Sequence, residues 1–302
     1  ASFGREALLR RLLISLRPCP ALAGCRLIIV NNGRSSIDTV LAETGWADAT
    51  VLTPGSNQGC AGGLALAIAE ALRDDRVRQC LIMDDDATVE PDAPARLRGA
   101  LESTGGALAA PMITNAAGEV GWFPGLQDRR RWRVIKRPGL RPAEYLAECG
   151  PGLVRISWAA WPVLMVDRAA IERNGLPMRE LWYQGVDLEY TLRLTAREAG
   201  YFVPEARAWH IPPAITWDRR FFLRECGGLQ NSFFVFLRLP HGRRALRHLP
   251  GNLYRFLRCW GWRPRVLADV ARAFWWGAVR ARPQGAAGFD YFRRCWERAA
   301  PG

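Results

Sequence analysis

Apolar residues in the N-terminal part of the chain recur in two alternating patterns. Short β-branched runs predict four strands, at Arg26 to Val30, Ala49 to Thr53, Gln79 to Met83 and Ala107 to Ile113. Stretches with helical spacing lie between them and predict helices at Ser36 to Thr44, Ala61 to Arg73 and Ala93 to Leu101. This alternation predicts an α/β fold with a mostly parallel sheet flanked by helices.

The beginning of the chain departs from that alternation. An amphipathic helix, Glu6 to Leu16, follows Ser2-Phe3-Gly4-Arg5 directly, with no strand before it. A sheet of this kind normally begins with a central strand. We therefore expect the first strand to be missing from this sequence.

The third predicted strand ends in three consecutive carboxylates. Leu81-Ile82-Met83 is fit for a buried strand, and Asp84-Asp85-Asp86 follows at once. Three adjacent acids in a cleft repel one another unless a cation lies among them, which favours a divalent metal over an acidic loop without an ion. Asn31-Asn32 also follows a strand, and ligands of α/β sheets bind beyond the carboxyl ends of strands. Both motifs can therefore face one cleft.

Composition and charge divide the chain in two. With 302 residues, 49% hydrophobic and 24% charged, it has the composition of a globular protein. Residues 1–218 carry 25 basic and 25 acidic side chains, whereas residues 219–302 carry 17 and 4, so the whole net charge of +13 lies in the second part. We predict a catalytic domain over 1–218 and a basic helical C-terminal region over 219–302.

No apolar stretch reaches the roughly 18 residues of a membrane span, which predicts a soluble or peripheral protein. The eight cysteines are scattered without a Cys-x-x-Cys pair, so we expect free thiols.

The C-terminal region combines arginines with aromatic residues. Helical segments are predicted at Phe221 to Leu239, Arg243 to Cys259, Arg265 to Arg282 and Phe289 to Arg298. Basic faces beside Trp and Phe suit an anionic membrane surface. Nucleic acid would suit the same composition, and part of the aromatic residues can simply form a helical core.

Five motifs, in this order, resemble the inverting glycosyltransferases of family 2, which have the GT-A fold, a Rossmann-like sheet. They are Ser2-Phe3-Gly4-Arg5, Ile29-Val30-Asn31-Asn32-Gly33, Asn57-Gln58-Gly59-Cys60-Ala61-Gly62-Gly63, Asp84-Asp85-Asp86 and Gly185-Val186-Asp187-Leu188-Glu189-Tyr190, followed by Trp209-His210. The resemblance covers about residues 2–240. Residues 158–193 look most like the galactofuranosyltransferase and rhamnosyltransferase branches.

The resemblance implies a role for each motif. Asp84, Asp86 and His210 would hold Mn²⁺ or Mg²⁺. Residues that would contact the nucleotide-diphosphate sugar donor are Arg5, Asn31, Asn57, Gly59, Gly62 and Asp85. Asn31 departs from the aspartate that usually grips the nucleobase in this family, although an amide can still bond a pyrimidine edge. By residue type alone, His210 could be structural and the Gly-rich loop an ordinary turn.

Asp187 would be the catalytic base, accepting the proton of the acceptor hydroxyl as it attacks the anomeric carbon. The alternative for Asp187 is an acid that only stabilises a helix N-terminus. Trp158, Trp182 and Glu189 are expected near the acceptor, since sugar rings stack on aromatic surfaces. Core filling is the alternative for the tryptophans.

The sequence thus predicts a metal-dependent transferase acting on a cell-surface glycan or its polyprenyl-linked precursor. The expected donor is UDP-galactofuranose, with dTDP-rhamnose second. The expected location is cytoplasmic, peripheral on the inner face of the membrane. No nucleic-acid partner is expected. Two alternatives remain, a nucleotidyltransferase of related architecture and a non-catalytic, membrane-docked scaffold.

Overall fold

A computed structural model describes residues 1–128, 131–212, 214, 216–281 and 290–299. These residues form two compact units. The first contains residues 1–58, 63–176 and 190–213, and the second contains residues 59–62, 177–189 and 214–302, each within its described part. The predicted boundary near Asp218 stays a prediction.

The four strands and three helices predicted for residues 26–113 are present, with a further short strand between the third strand and the third helix. The strands are β1 Ile28–Val30, β2 Thr50–Leu52, β3 Gln79–Met83, β4 Ala87–Val89, β5 Leu108–Thr114, β6 Val120–Trp122, β7 Gly125–Asp128, β8 Arg131–Arg133, β9 Val154–Trp158, β10 Val163–Asp167 and β11 Gly200–His210. The α-helices are α1 Glu6–Leu16, α2 Asp38–Glu43, α3 Gly59–Ala71, α4 Ala93–Thr104, α5 Pro142–Cys149, α6 Arg168–Asn174, α7 Val186–Thr195, α8 Arg219–Arg238, α9 Leu249–Trp260, α10 Pro264–Phe274 and α11 Asp290–Arg298. A π-helix, Trp275–Arg280, continues α10.

The first unit contains a mixed sheet flanked by helices, which confirms the α/β class. Among the described residues, nine strands join in the order β3-β10-β5-β11-β9-β7-β8, with β4 on β11 and β6 on β5. β5 and β11 are parallel, and β10 is antiparallel to both β3 and β5. Strand direction therefore departs from the mostly parallel sheet expected.

One source of this departure is β10, which lies between two strands that run the same way; β4, β6, β7, β8 and β9 also pair in antiparallel. Its residues Val163 to Val166 are buried, and so is every residue of β5. A strand covered on both faces is apolar whichever way it runs, so the residue pattern does not reveal its direction. Pro111 within β5 has no N–H to donate, and the register with β11 shifts directly after the Val203 pair opposite it.

The start of the chain lies beside β1. Ser2 forms a parallel bridge with Asn31, and its backbone N–H donates to the Val30 carbonyl at 2.9 Å. β1 and β2 pair in parallel. The helix α1 packs its buried leucines, Leu9, Leu12, Leu13 and Leu16, into the core that also holds residues of α4 and β5. The strand end that carries Asn31 is thereby fixed to the first residues of the chain.

The second unit is mainly helical. The side chain of Asp218 caps α8 by accepting a hydrogen bond from the Phe221 N–H at 2.7 Å. The core of the second unit is formed by Leu223, Cys226, Leu229, Phe233, Phe256, Leu257, Val266, Ala273 and Phe292. Within the described ranges, no helix combines the length and the apolarity that crossing a bilayer requires. Arg282 and Phe289, at the ends of two predicted helical segments, lie outside the described residues.

Candidate metal centre and acidic helix

The acid run leaves β3 where that strand is held by β10. Met83 pairs with Val163, and the Asp84 N–H donates to the Pro162 carbonyl at 3.0 Å. Asp84 is half-buried, whereas Asp85 and Asp86 are buried. The three carboxylates therefore begin at a fixed point on the sheet and enter surroundings poor in water.

The register of β4 on β11 brings His210 to the acids. His210 pairs with Ala87, the residue directly after Asp86, although 124 positions separate His210 and Asp86 in sequence. One ligand atom each from Asp84, Asp86 and His210 lie within 4.8 Å of one another. Two carboxylates and an imidazole are a donor set suited to Mn²⁺ or Mg²⁺. The structure thus assembles the three residues that the sequence marked for a metal; their role stays a prediction.

Arg5 supplies positive charge to this cluster. Its guanidinium pairs with Asp85 and with Asp86, the latter at 2.9 Å, so the predicted donor-binding residues Arg5 and Asp85 contact each other. The Ser2 side chain also acts on Asp85 and opposes the rise of its pKa. Ser2 belongs to the first motif of the sequence, but no role was predicted for it.

The pKa values of the acids diverge according to their partners. Burial and the charge of Asp86 raise the pKa of Asp84 to about 7. Burial also acts on Asp86, but the hydrogen bond and charge of His210, with Arg5, outweigh it and lower the pKa of Asp86. Burial raises the pKa of Asp85 against the opposing effects of Arg5 and Ser2. A bound cation would therefore stabilise the ionised form of Asp84, which is the fit expected of a metal ligand.

His210 has both ring nitrogens engaged. The Trp122 indole N–H donates to His210 Nδ1 at 2.7 Å, and His210 Nε2 lies 2.9 Å from Asp86 Oδ1. An accepting Nδ1 assigns the proton of the neutral ring to Nε2, which then donates to Asp86. Coordination of an ion by Nε2 would require that proton to move to Nδ1, where it would displace the hydrogen bond from Trp122. The hydrogen bond from Trp122 therefore determines which ring nitrogen of His210 carries the proton. No motif in the sequence marked Trp122.

The predicted donor-binding residues near β1 serve the local backbone. Asn31 is buried, accepts from the Gly33 N–H at 3.0 Å and donates to the Ser35 carbonyl at 2.8 Å. Asn57 is half-buried in the loop between β2 and α3. The amide of Asn31 therefore already shapes the turn after β1 and would meet a base through its remaining hydrogen-bonding capacity.

Gly59 and Gly62 lie in the first turn of α3. Gly59 has φ +67°, and a Cβ there would lie 2.3 Å from the Trp182 carbonyl oxygen. A side chain is therefore excluded at Gly59 both by backbone conformation and by packing. Gly62 is buried. Close packing against Trp182 is a structural reason for the glycine that the motif alone did not reveal.

Asp187 lies in the first turn of α7, as expected. Its Oδ1 accepts a hydrogen bond from the Leu188 N–H at 2.8 Å. Burial raises the pKa of Asp187, partly offset by that hydrogen bond. Glu189 is completely buried, and its Oε1 lies 3.3 Å from His241 Nε2. Asp187 thus has the environment of a strengthened base, and Glu189 that of a buried partner of His241.

The turn before α7 is centred on Trp182, the predicted acceptor residue. Trp182 has φ 57° and ψ −54°, and the Tyr183 N–H donates to the Leu181 carbonyl at 2.6 Å. This combination is a γ-turn of the rare, strained kind. Buried Asn231 of α8 holds both ends, because its Nδ2 donates to the carbonyls of Leu181 at 2.7 Å and Gln184 at 2.6 Å. Neither Asn231 nor His241 stood out in the sequence.

Trp158 ends β9 in the first unit. Its indole lies on Gly125 of the neighbouring strand, where a Cβ would approach the ring nitrogen to 2.2 Å. The side chain is half-buried. An aromatic ring packed on a glycine offers a flat apolar face of the kind on which sugar rings stack. The role of Trp158 in acceptor binding stays a prediction.

Comparison with known proteins bears on the fold. No family model matches the sequence, and no curated protein does. Among solved structures, Staphylococcus aureus TarS matches with a TM-score of 0.60 and 11% identity over 97% of this chain and 51% of that chain. S. aureus TarS 1-349 in complex with UDP-GlcNAc matches with a TM-score of 0.60 and 10% identity over 90% and 77%. The chain thus spans about half the length of the longer TarS chain, and its fold is GT-A-like.

Proposed function

We propose that this chain is an inverting, metal-dependent glycosyltransferase of family 2, which transfers a hexose from a nucleotide diphosphate to an acceptor hydroxyl. The observation that carries the proposal is the cluster of Asp84, Asp86 and His210 at the carboxyl end of β3 in a GT-A-like fold. The fold alone would support many activities. The complex of TarS 1-349 with UDP-GlcNAc supports a UDP-sugar as the donor class.

In this proposal Asp84 and Asp86 would hold the ion, Mn²⁺ or Mg²⁺, with Nε2 of His210 as a third ligand in the tautomer that carries its proton on Nδ1. The bound ion would supply positive charge to the leaving diphosphate. Arg5 keeps Asp85 and Oδ2 of Asp86 in place through its two ion pairs. Asn31, Asn57, Gly59 and Gly62 contribute to donor binding.

Asp187 is the proposed general base. The Leu188 N–H orients its carboxylate, and the pKa raised by burial makes the ionised carboxylate a better proton acceptor than an exposed aspartate. The acceptor hydroxyl loses its proton to Asp187 as its oxygen bonds to the anomeric carbon, and the nucleoside diphosphate leaves from the opposite face. Trp158 and Trp182 stack on the acceptor sugar, and Glu189 supports the helix beside it.

The proposed donor is UDP-galactofuranose, with dTDP-rhamnose second, on the resemblance of residues 158–193 to those branches. The proposed acceptor is a cell-surface glycan or its polyprenyl-linked precursor. The proposed location, peripheral on the cytoplasmic face of the membrane, rests on the basic, aromatic composition of residues 219–302.

Nucleotide release measured with a panel of donors, with and without EDTA, tests the activity. Asp187→Asn should reduce release by about 10²–10⁴-fold, the usual effect of losing a general base. Asp38→Asn is the matched control, since Asp38 is an exposed acid in the first turn of α2 and should leave the rate unchanged.

Four results would contradict the proposal. Turnover that EDTA does not affect would exclude the metal role, and a fully active Asp187→Asn variant would exclude the base. Release of pyrophosphate instead of a nucleoside diphosphate would indicate a nucleotidyltransferase, and donor binding without turnover at any metal concentration would indicate a scaffold.

A further inference from the structure

The helix α10 buries one of its faces in the core of the second unit. Val266 and Ala273 are buried in the cluster that also contains Leu223 and Phe233 of α8. Val270 packs against the same cluster. This face satisfies the usual requirement that an amphipathic helix bury one apolar stripe.

A second apolar stripe of α10 lies on the surface. Leu267, Ala271 and Phe274 recur at positions i, i+4 and i+7 and share one side of the helix. Trp275 and Val279 continue this series into the π-helix. The exposed fractions are 41% for Leu267, 46% for Phe274, 52% for Trp275 and 43% for Val279. We call these five residues the outer stripe; a contiguous apolar surface of this kind marks an interaction site.

Positive charge surrounds the outer stripe. Arg263, Arg265, Arg272 and Arg280 are all exposed within residues 263–280. The one acid in that sequence range is Asp269, whose carboxylate pairs with Arg272 at 2.6 Å. Nearby Trp262, at 64% exposed, adds another aromatic ring at the start of the helix. The partner of the stripe must therefore be apolar within and negatively charged at its edge.

A second copy of this chain fits these demands poorly. A symmetric pair that buried the outer stripe would place the same arginines of both copies close together, and like charges oppose association. An anionic bilayer has the opposite charge at its headgroups and accepts apolar side chains beneath them. Tryptophan favours that interface because its ring is apolar and its N–H polar.

We propose that the outer stripe of α10 and the π-helix lies on an anionic lipid surface, with Phe274 and Trp275 among the acyl chains and Arg265 and Arg280 at the headgroups. The proposal rests on the peripheral membrane location proposed above and names the surface that provides it. It does not depend on glycosyl transfer.

Co-sedimentation of the whole chain with vesicles tests the surface. Vesicles of phosphatidylcholine are compared with vesicles of phosphatidylcholine and phosphatidylglycerol. The wild type should bind the second kind, and added salt should weaken binding. Trp275→Ser should weaken it about tenfold, because a large side chain no longer leaves water. Ile14→Ser is the matched control, since Ile14 of α1 is 56% exposed in the first unit, and its substitution should have no effect.

Arg265→Glu gives a second, independent measurement. It should weaken binding to the anionic vesicles about tenfold by replacing attraction with repulsion, without changing the apolar stripe. Absence of wild-type binding to anionic vesicles, or equal binding by Trp275→Ser and Ile14→Ser, would overturn the proposal. So would a concentration-dependent dimer in light scattering that Trp275→Ser abolishes, since the stripe would then be a protein interface.

The activity is measured separately, as nucleotide release without lipid. If Trp275→Ser releases nucleotide at the wild-type rate but fails to bind vesicles, the lipid surface is supported whatever the donor. If the chain binds vesicles through the stripe but never turns over a donor, the transferase proposal fails and the lipid surface stands.

Discussion

The acid run after β3 and the acidic residues of α7 balance buried negative charge in different ways. Asp85 and Asp86 are paired with the guanidinium of Arg5, and Asp86 also meets His210. Asp187 accepts a backbone N–H, and burial raises its pKa. His210 and Arg5 lower the pKa of Asp86, which favours the ionised form that binds an ion, whereas the raised pKa of Asp187 favours acceptance of a proton. In the proposed reaction the first region would hold the ion and the second would take up the proton.

After the loss expected for Asp187→Asn, substitution of the metal region should have the largest effect. Asp86→Asn removes one ligand charge and weakens the pairs with Arg5 and His210, so nucleotide release should fall about 10²–10³-fold, as for loss of a transition-state contact. Mn²⁺ affinity measured by calorimetry should fall with it. Asp92→Asn, which alters an exposed acid paired with Arg96, should change neither. Unchanged Mn²⁺ affinity in Asp86→Asn would contradict the assignment of the metal site to this region.

The turn before α7 should show its effect in stability. Asn231→Ala removes two hydrogen bonds to the carbonyls of Leu181 and Gln184 and leaves the γ-turn at Trp182 unsupported. The free energy of unfolding, measured with urea, should fall by about 2–4 kcal/mol. Asn252→Ala is the control, because the Asn252 side chain meets exposed Arg255 at 3.5 Å. Equal stability of the two variants would mean that the turn needs no support from α8.

The raised pKa of Asp84 should make the proposed metal binding depend on pH. Protons compete with the ion below the folded-state pKa of about 7, so Mn²⁺ affinity should fall by up to about tenfold per pH unit below that value. The stability of the metal-free protein should instead decrease as pH rises. Because the pKa is higher in the folded state than the ordinary 3.8, the contribution of Asp84 to stability is complete at low pH and is lost as pH rises towards about 7.

Melting temperatures measured between about pH 5 and pH 8 with and without Mn²⁺ check both trends. Asp84→Asn should flatten the metal-free curve, since an amide does not titrate in this range. A wild-type curve as flat as that of the variant would contradict the assignment.

Trp122 should have the smallest effect, and its sign is informative. Its N–H holds His210 Nδ1 as an acceptor and so keeps a proton on Nε2, which opposes coordination. Trp122→Phe removes this donor, so Mn²⁺ affinity should rise by about threefold. This change is smaller than the loss of about tenfold or more that usually follows removal of a supporting contact to a metal ligand. Weaker binding would show that the indole orients His210 for the metal and does not oppose it.

The sequence was sufficient to predict the strands that end directly before Asn31 and Asp84, because the apolar runs stop there and polar residues begin. The grouping of Asp84, Asp86 and His210 came from resemblance, and the β4–β11 register supplied its cause. Strand direction at β10 could not be predicted, since buried strands are apolar in either direction. Trp122, Asn231 and His241 escaped notice because each acts through a partner about 50 or more residues away, and such contacts have no local signature.

The ion pairs of Arg5 bear on how the protein is made. A guanidinium between two carboxylates is a built-in counterion that the chain brings with it. Folding should therefore not depend on a divalent ion, and the ion of the proposed function would bind afterwards. The apoprotein should accordingly survive storage in chelator as a folded reservoir.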